Sequence, residues 1–341
     1  MNPAADALRA FIGQSTAPLP AASVLAVGPE HHPVLADLCQ GQPPRCLQPH
    51  KPAATALAAA GYPLVGETQL DAEPKARLGV LFAGKHRGEN LYYLARLADW
   101  LAVDGHWLAV CPNALGAASL EKRAGELFSL AGRYAKRHCR VFWGPVAGFE
   151  PTLAAQYRAL ARQPVAGTPL VSHVGAFSAR EVDPGSRQLA DALPPLVGRG
   201  ADWGAGYGYL SYRLLTGSHR LEALHLLEAD ARQLAAAREN LAPLAADVAL
   251  QFHWSDVTVD SPQAAFDWIV TNPPFHRGKA AEPTLGQGFI KAAAAALRPG
   301  GTLYLVANRQ LPYEPTLQRH FPHLDVLASD NRYKSIAARR R

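Results

Sequence analysis

In the second half of the chain, short apolar runs alternate with amphipathic stretches. "ALPPLVGRGADWGAGYGYLSYRLL" gives an apolar approach, a Gly-rich turn and a helix from about Tyr207. "LEALHLLEAD" is a second strand that closes at Glu228. "ARQLAAARENLAPL" sets Leu234, Ala237 and Leu241 on one helical face. "VALQFHWSD" predicts a third strand and "FDWIVTNPPF" a fourth. "GQGFIKAAAAALRPGG" predicts a helix that stops at Pro299-Gly300-Gly301. "TLYLVAN" is a fifth strand, and "HLDVLASDNRYKSIAARRR" holds two apolar runs around a turn, a closing antiparallel pair. This alternation predicts an α/β fold, a seven-stranded and mostly parallel sheet with helices on both faces.

The first half repeats the pattern in a worn form. "ARLGVLFAGKHRGENLYYLARLADWLAVDGHWLAVCPN" reads strand, loop, helix, Gly turn, strand. His86-Arg87-Gly88 and His276-Arg277-Gly278 occupy the same slot after a strand in the two halves. The repeat predicts an internal duplication, two Rossmann-like folds in tandem. Pro145, Pro151, Pro164 and Pro169 punctuate the joint, with "TLAAQYRALARQ" as a connecting helix. The expected domains are 1–163 and 164–341.

Composition narrows the class. The chain has 341 residues, enough for two domains, and 48% are hydrophobic. The net charge of +6 is compatible with a nucleic-acid partner. Cys39, Cys46, Cys111 and Cys139 form no CxxC pair and no zinc-ligand spacing, so idle thiols of a reducing compartment are expected, with no metal. The N-terminus lacks a signal-peptide pattern, and no apolar run approaches the roughly 20 residues that span a bilayer. A soluble, cytoplasmic protein without membrane contact is expected.

The candidate chemistry lies at the strand ends. Asp202-Trp203-Gly204-Ala205-Gly206-Tyr207-Gly208 follows a strand and opens a helix. Gly204 and Gly206 would let a ligand approach the backbone, with Ala205 between them as a further cofactor-binding position. Glu228 would accept both hydroxyls of a ribose, and Asp256 an adenine amino group. The turn reads GAGYG where a nicotinamide dinucleotide usually takes GxGxxG, and it has no basic neighbour for a pyrophosphate. Asp202 would suit an ammonium group. An adenosyl group with an amino-acid tail fits better, so S-adenosylmethionine (AdoMet) is favoured over NAD. The fourth strand then meets Asn272-Pro273-Pro274-Phe275, where two prolines end the ladder for want of N–H donors.

"ADWGAGYG", "LLEAD", "HWSD" and "TNPPFHRG", in this order, resemble a class I AdoMet-dependent methyltransferase. Asn-Pro-Pro-Phe/Tyr is the motif of members that methylate planar nitrogens. "GAFSAREVDPGSRQLADALP", "VANRQLPYEPTLQRHF" and "RYKSIAARR" make the chain similar to the two-domain bacterial 16S ribosomal RNA guanine-N2 methyltransferases. That resemblance implies AdoMet as cofactor and methylation of the exocyclic N2 amine of a guanine in 16S rRNA. The RNA would be met within the small subunit or an assembly intermediate, with no obligate protein partner. It implies an N-terminal copy without a cofactor site, serving RNA recognition or stabilisation. "VGPEHHP" and "FAGK" in place of the two motifs agree with such a loss. It also implies that Phe177 and Ser178 of "GAFS" cover the cofactor.

On this reading the Asn272 carbonyl accepts one amine hydrogen and the Pro273 carbonyl the other. Pro274 stiffens the loop and Phe275 stacks on the base. His276 and Arg277 stand at the mouth, as solvated loop residues or RNA contacts. Lys122, Arg123, Arg133, Lys136, Arg137, His138 and Arg140, with Arg332, Lys334 and Arg339 to Arg341, are candidate phosphate contacts. Rival readings are a 23S rRNA guanine-N2 enzyme, an adenine-N6 or glutamine-amide methyltransferase, and a non-catalytic RNA-binding or assembly protein.

Overall fold

The computed structural model describes all residues except 1, 15–22, 40, 246, 275, 278–279 and 282, together with the side chains of all but 276, 277, 280, 281 and 283 among the rest. The chain divides into two compact units, Met1–Arg162 and Gln163–Arg341.

The first unit holds β1 (Val24–Val27), β2 (Arg45–Leu47), β3 (Ala76–Phe82), β4 (Leu101–Pro112), β5 (Gly132–Lys136) and β6 (Cys139–Pro145). Its helices are α1 (Pro3–Ile12), α2 (Val34–Asp37), α3 (Lys51–Ala59), α4 (Glu67–Ala72), α5 (Arg87–Trp100), α6 (Ala117–Leu127) and α7 (Pro151–Arg158). The sheet order is β2-β1-β3-β4-β6-β5. Its first four strands are parallel, and β6 runs antiparallel to both β4 and β5. Leu8 and Phe11 of α1 pack with Val24, Ala26, Leu78, Val80, Leu108 and Val141 on one face.

Two short strands, β7 (Arg162–Pro164) and β8 (Val171–His173), precede the second sheet. That sheet holds β9 (Val197–Trp203), β10 (Arg220–Glu228), β11 (Ala249–Trp254) and β12 (Phe266–Thr271). After the antiparallel pair β13 (His276–Arg277) and β14 (Ala280–Ala281) come β15 (Leu297–Asn308), β16 (His323–Ser329) and β17 (Tyr333–Arg339). The helices are α8 (Pro184–Ala192), α9 (Tyr209–Thr216), α10 (Ala231–Leu241), α11 (Pro283–Ala296) and α12 (Glu314–His320). The order is β11-β10-β9-β12-β15-β17-β16, with only β17 antiparallel to its neighbours. Buried strands alternate their faces. Leu224, Leu226 and Val270 meet Leu189, Leu210, Leu234 and Leu241 on one side. Ile269, Leu303 and Leu305 meet Ile290, Ala293, Leu317 and Phe321 on the other.

Matched from the first strand onward, the two sheets share order and direction, but the first unit has no counterpart of β11 among its described residues. This topology is what a tandem duplication produces. Two expected boundaries move. The helix after the Gly-rich turn starts at Tyr209, because Gly208 takes a left-handed φ of 89° as its N-cap. The helix α11 ends at Ala296, before Pro299-Gly300-Gly301, which lies inside β15. There the register against β12 shifts between Phe266 and Trp268, and Gly300 adopts a φ of 79°. The glycines thus serve a bulge within the strand, not a helix stop.

Candidate active site

Four adjacent strands end together at the carboxyl edge of the second sheet. Trp203 of β9 stands between Leu227 of β10 and Thr271 of β12. Glu228 pairs with Trp254 at the end of β11, and Ser255 N donates to the Glu228 carbonyl at 3.0 Å. The Thr271 hydroxyl donates to the Trp203 carbonyl at 2.8 Å, tying the Gly-rich turn to the Asn-Pro-Pro turn. The sheet therefore brings Gly204, Ala205, Gly206, Glu228, Asp256 and Asn272 to one edge, where open α/β sheets bind ligands.

The turn is shaped for a ligand at one glycine and for packing at another. Gly206 has a φ of 56°, and a Cβ placed there would meet nothing within 4 Å. A Cβ on Gly208 would lie 3.0 Å from Leu241 and 3.3 Å from Ala237, so that glycine lets α10 approach. Glu228 closes the turn from below: its Oε2 accepts from Gly206 N at 2.8 Å and its Oε1 from Asp230 N at 2.8 Å. Burial pushes the Glu228 carboxyl up to about 7, partly offset by these backbone donors.

Asp202 is buried on β9, with Oδ2 accepting from both the amide and the hydroxyl of Ser211. Its Oδ1 is buried and unpartnered. Burial raises this carboxyl to about 6 against the two Ser211 hydrogen bonds. Asp256 Oδ1 accepts from Thr258 N and Oγ1, at 3.0 and 2.6 Å, which fixes the carboxylate in a tight turn after β11.

Asn272 is gripped through its nitrogen. Its Nδ2 donates to Asp183 Oδ2 at 2.9 Å and to Ser186 Oγ at 2.8 Å. A carboxylate only accepts, so this contact fixes which end of the amide is nitrogen and which is the acceptor oxygen Oδ1. The same Asp183 oxygen caps α8 by accepting from Ser186 N at 2.7 Å. α8 itself is seated on the sheet, with the Ser335 hydroxyl on Gln188 at 3.0 Å. Pro273 is buried and Pro274 exposed. Phe275 lies outside the described residues, as do the side chains of His276 and Arg277.

Phe177 is 63% exposed, and Ser178 takes a φ of 49°. Their segment is held by Ser172, which donates to the Ala179 carbonyl at 2.6 Å, and by Asn240, which bonds both backbone groups of Val171. Asp183 and Ser186, which hold Asn272, and Ser211, which holds Asp202, are residues that the motifs alone do not disclose. "DPGS" carries a capping signal, an Asp before Pro with Ser three positions on, but not its contact with Asn272, 89 residues away.

Many of the candidate phosphate contacts are engaged within the fold. Arg133 and Arg140 stand on Glu121, Arg123 on Glu126 and Lys334 on Glu314. Arg340 donates to the Ala295 and Leu297 carbonyls. Among the described residues no group of three or more His, Cys, Asp or Glu could hold a metal ion, and no helix is long and apolar enough to cross a membrane.

The model of the methyltransferase small domain matches residues 167–337. The ribosomal RNA small subunit methyltransferase C of Shewanella halifaxensis is 31% identical over 262 residues, 75% of each chain. That of Shewanella piezotolerans is 32% identical over 247 residues, 71% of each chain. Among solved structures, the T. thermophilus 16S rRNA N2 guanine-1207 methyltransferase, in complex with AdoMet and guanosine, superposes with a TM-score of 0.78 at 26% identity. That match covers 99% of this chain and 92% of the other, so the likeness extends through the worn N-terminal half as well as the site. With a site of this geometry and relatives aligned over three quarters of its length, the chain belongs to the ribosomal RNA small subunit methyltransferase C family.

Proposed function

We propose that this chain methylates the exocyclic N2 amine of a guanine in 16S rRNA, with AdoMet as methyl donor. The observation that carries the chemistry is the orientation of Asn272, whose nitrogen is spent on Asp183 and Ser186. Its carbonyl is then the amide atom left to accept an amine hydrogen, on the turn that Thr271 ties to the Gly-rich turn. Family membership, and the guanosine bound by the T. thermophilus relative, choose guanine over adenine or glutamine.

The residues present fit AdoMet. The unpartnered Asp202 Oδ1 suits an ammonium group, and the open face of Gly206 leaves room for a ligand against the backbone. Glu228 would receive the ribose hydroxyls and Asp256 the adenine amine, with Gly204 and Ala205 forming the wall and Phe177 and Ser178 the cover. When bound, AdoMet supplies an electrophilic methyl group. The chain's own part is to hold the nucleophile. The guanine amine is weak because its lone pair is delocalised into the ring. Accepting its two hydrogens on Asn272 Oδ1 and the Pro273 carbonyl favours the charge that develops as the nitrogen becomes tetrahedral. Pro273 and Pro274 fix that carbonyl before the substrate arrives. Phe275 serves as the stacking face, which requires the base to be unpaired or extruded.

The N-terminal unit acts in RNA recognition or in supporting the catalytic unit, as a copy without its own cofactor site. The RNA is met in the cytoplasm, as part of the small subunit or an assembly intermediate, with no obligate protein partner. Incubation with tritiated AdoMet and protein-free 16S rRNA, 30S or 50S subunits tests this reading. Label is expected as N2-methylguanosine in 16S rRNA, most strongly in one of the two 16S-containing substrates. Label found only in protein, only as methyladenosine or only in 23S rRNA would overturn it.

A further inference from the structure

We infer that the tip of the β5–β6 hairpin, Lys136-Arg137-His138, is a contact point for the phosphate backbone of the RNA substrate. The inference rests on the RNA methyltransferase reading above. Lys136 pairs with Cys139, so Arg137 and His138 alone form the loop. Their φ angles are 52° and 58°. Two consecutive left-handed residues define the hairpin turn that matches strand twist, and Asn-Gly, Asp-Gly or Gly-Gly normally fill it. Here two large side chains occupy both positions against the preference of the backbone. The other non-glycine residues with positive φ among those described, Ser178 and Ala264, are isolated. Strained backbone of this kind clusters at sites where a side chain has a task.

That task is not internal packing. Lys136, Arg137 and His138 are all exposed. Arg137 makes one long ion pair, 3.7 Å to Asp6, with its side chain 57% exposed. Lower on the hairpin, Arg133 and Arg140 face the carboxylate of Glu121. Lys136, together with Arg137 in its long and exposed ion pair, thus places accessible positive charge at the tip. The position is also informative. β6 begins with Cys139 opposite Pro112, the last residue of β4, so the tip rises at the carboxyl edge of the parallel strands. At the corresponding tip of the second unit, Asp330 accepts from the amides of Arg332 and Tyr333 and satisfies the turn internally. The first unit has an open basic turn instead. Exposed cations on a rigid two-strand stem suit phosphate oxygens, which position an RNA without reading its sequence.

The test uses the full chain carrying Arg137→Asn with His138→Gly, and separately Lys136→Gln. The double variant relaxes the turn, so its thermal midpoint is expected to rise by a few degrees. Its affinity for protein-free 16S rRNA should nonetheless fall by roughly three- to tenfold, and the slope of log affinity against log salt should shrink by about one. Lys136→Gln should lower affinity and slope in the same direction without changing the turn. AdoMet affinity should match the wild type in both. Unchanged RNA affinity and salt slope in both variants would overturn the inference. So would wild-type binding to protein-free rRNA with a loss confined to 30S subunits, which would assign the tip to a ribosomal protein. A wild-type chain that methylates no 16S substrate would remove the underlying reading, and the inference with it.

Discussion

In the proposed reaction Asn272 depends on Asp183 and Ser186, which take its amide nitrogen and leave its oxygen to act as the acceptor. Asn272→Ala is expected to abolish methyl transfer while AdoMet binding, measured by calorimetry, stays near the wild type. Loss of both would place Asn272 in cofactor binding or folding instead. Asp183→Ser keeps a helix cap but is too short to hold the amide. It should lower kcat by roughly 10–100-fold, the scale of misplaced reacting groups, with AdoMet affinity unchanged. Glu228 sets a pH dependence. Its carboxyl is raised to about 7, and hydroxyl donors from a ribose favour its ionised form. AdoMet affinity should be full above about pH 7 and weaken as the pH falls through that value, with a proton released on binding. The apo protein has the opposite trend from this group. Its folded state holds the proton more tightly than the unfolded chain, so Glu228 lowers stability as pH rises from the ordinary carboxylate range to about 7. Calorimetry in buffers of different ionisation enthalpy reads the released proton, and Glu228→Gln should abolish it. The residues GAGYG, Glu228 and Asn-Pro-Pro were legible because their type and spacing report local backbone chemistry. Asp183, Ser186 and Ser211 were not, because their partners are distant in sequence or lie on another element.

At the scale of elements, the site depends on how closely β9 and β12 approach. Gly200 lies opposite Trp268, and a Cβ there would fall 2.1–2.2 Å from the indole atoms. The indole is itself fixed by its Nε1 donating to the Val197 carbonyl at 3.0 Å. Gly200→Ala should therefore destabilise the protein by about 1–3 kcal/mol, as overpacking does. Urea denaturation measures it, and a loss below about 0.5 kcal/mol would mean that Trp268 yields freely. Short, nearly continuous apolar runs disclosed these strands, since each is buried on both faces. It could not place the end of α11, where a Pro-Gly-Gly sequence that stops helices elsewhere was absorbed into a bulged strand. Whether such a signal ends a helix or bends a strand depends on the neighbouring strand, here β12.

For the whole molecule, the two units share a sheet topology but differ in what the carboxyl edge carries. A fragment from Gln163 to Arg341 is expected to retain AdoMet binding but to lose 16S rRNA affinity or stability relative to the full chain. Equilibrium binding and thermal melts of the fragment test this, and a soluble fragment with full methylation activity would contradict it. The amino-acid sequence by itself determined the tandem α/β organisation, the mostly parallel second sheet and the cofactor and amine motifs. These follow from periodicity and from residues whose backbone demands are local. Only the tertiary structure decided which charges remain available. Arg133, Arg140, Arg123 and Lys334 read as free cations in a basic chain, yet each has a carboxylate beside it. The orientation of the Asn272 amide was likewise fixed by a capped helix 89 residues upstream. Pairings of this kind depend on the path of the folded chain, and no local pattern encodes them.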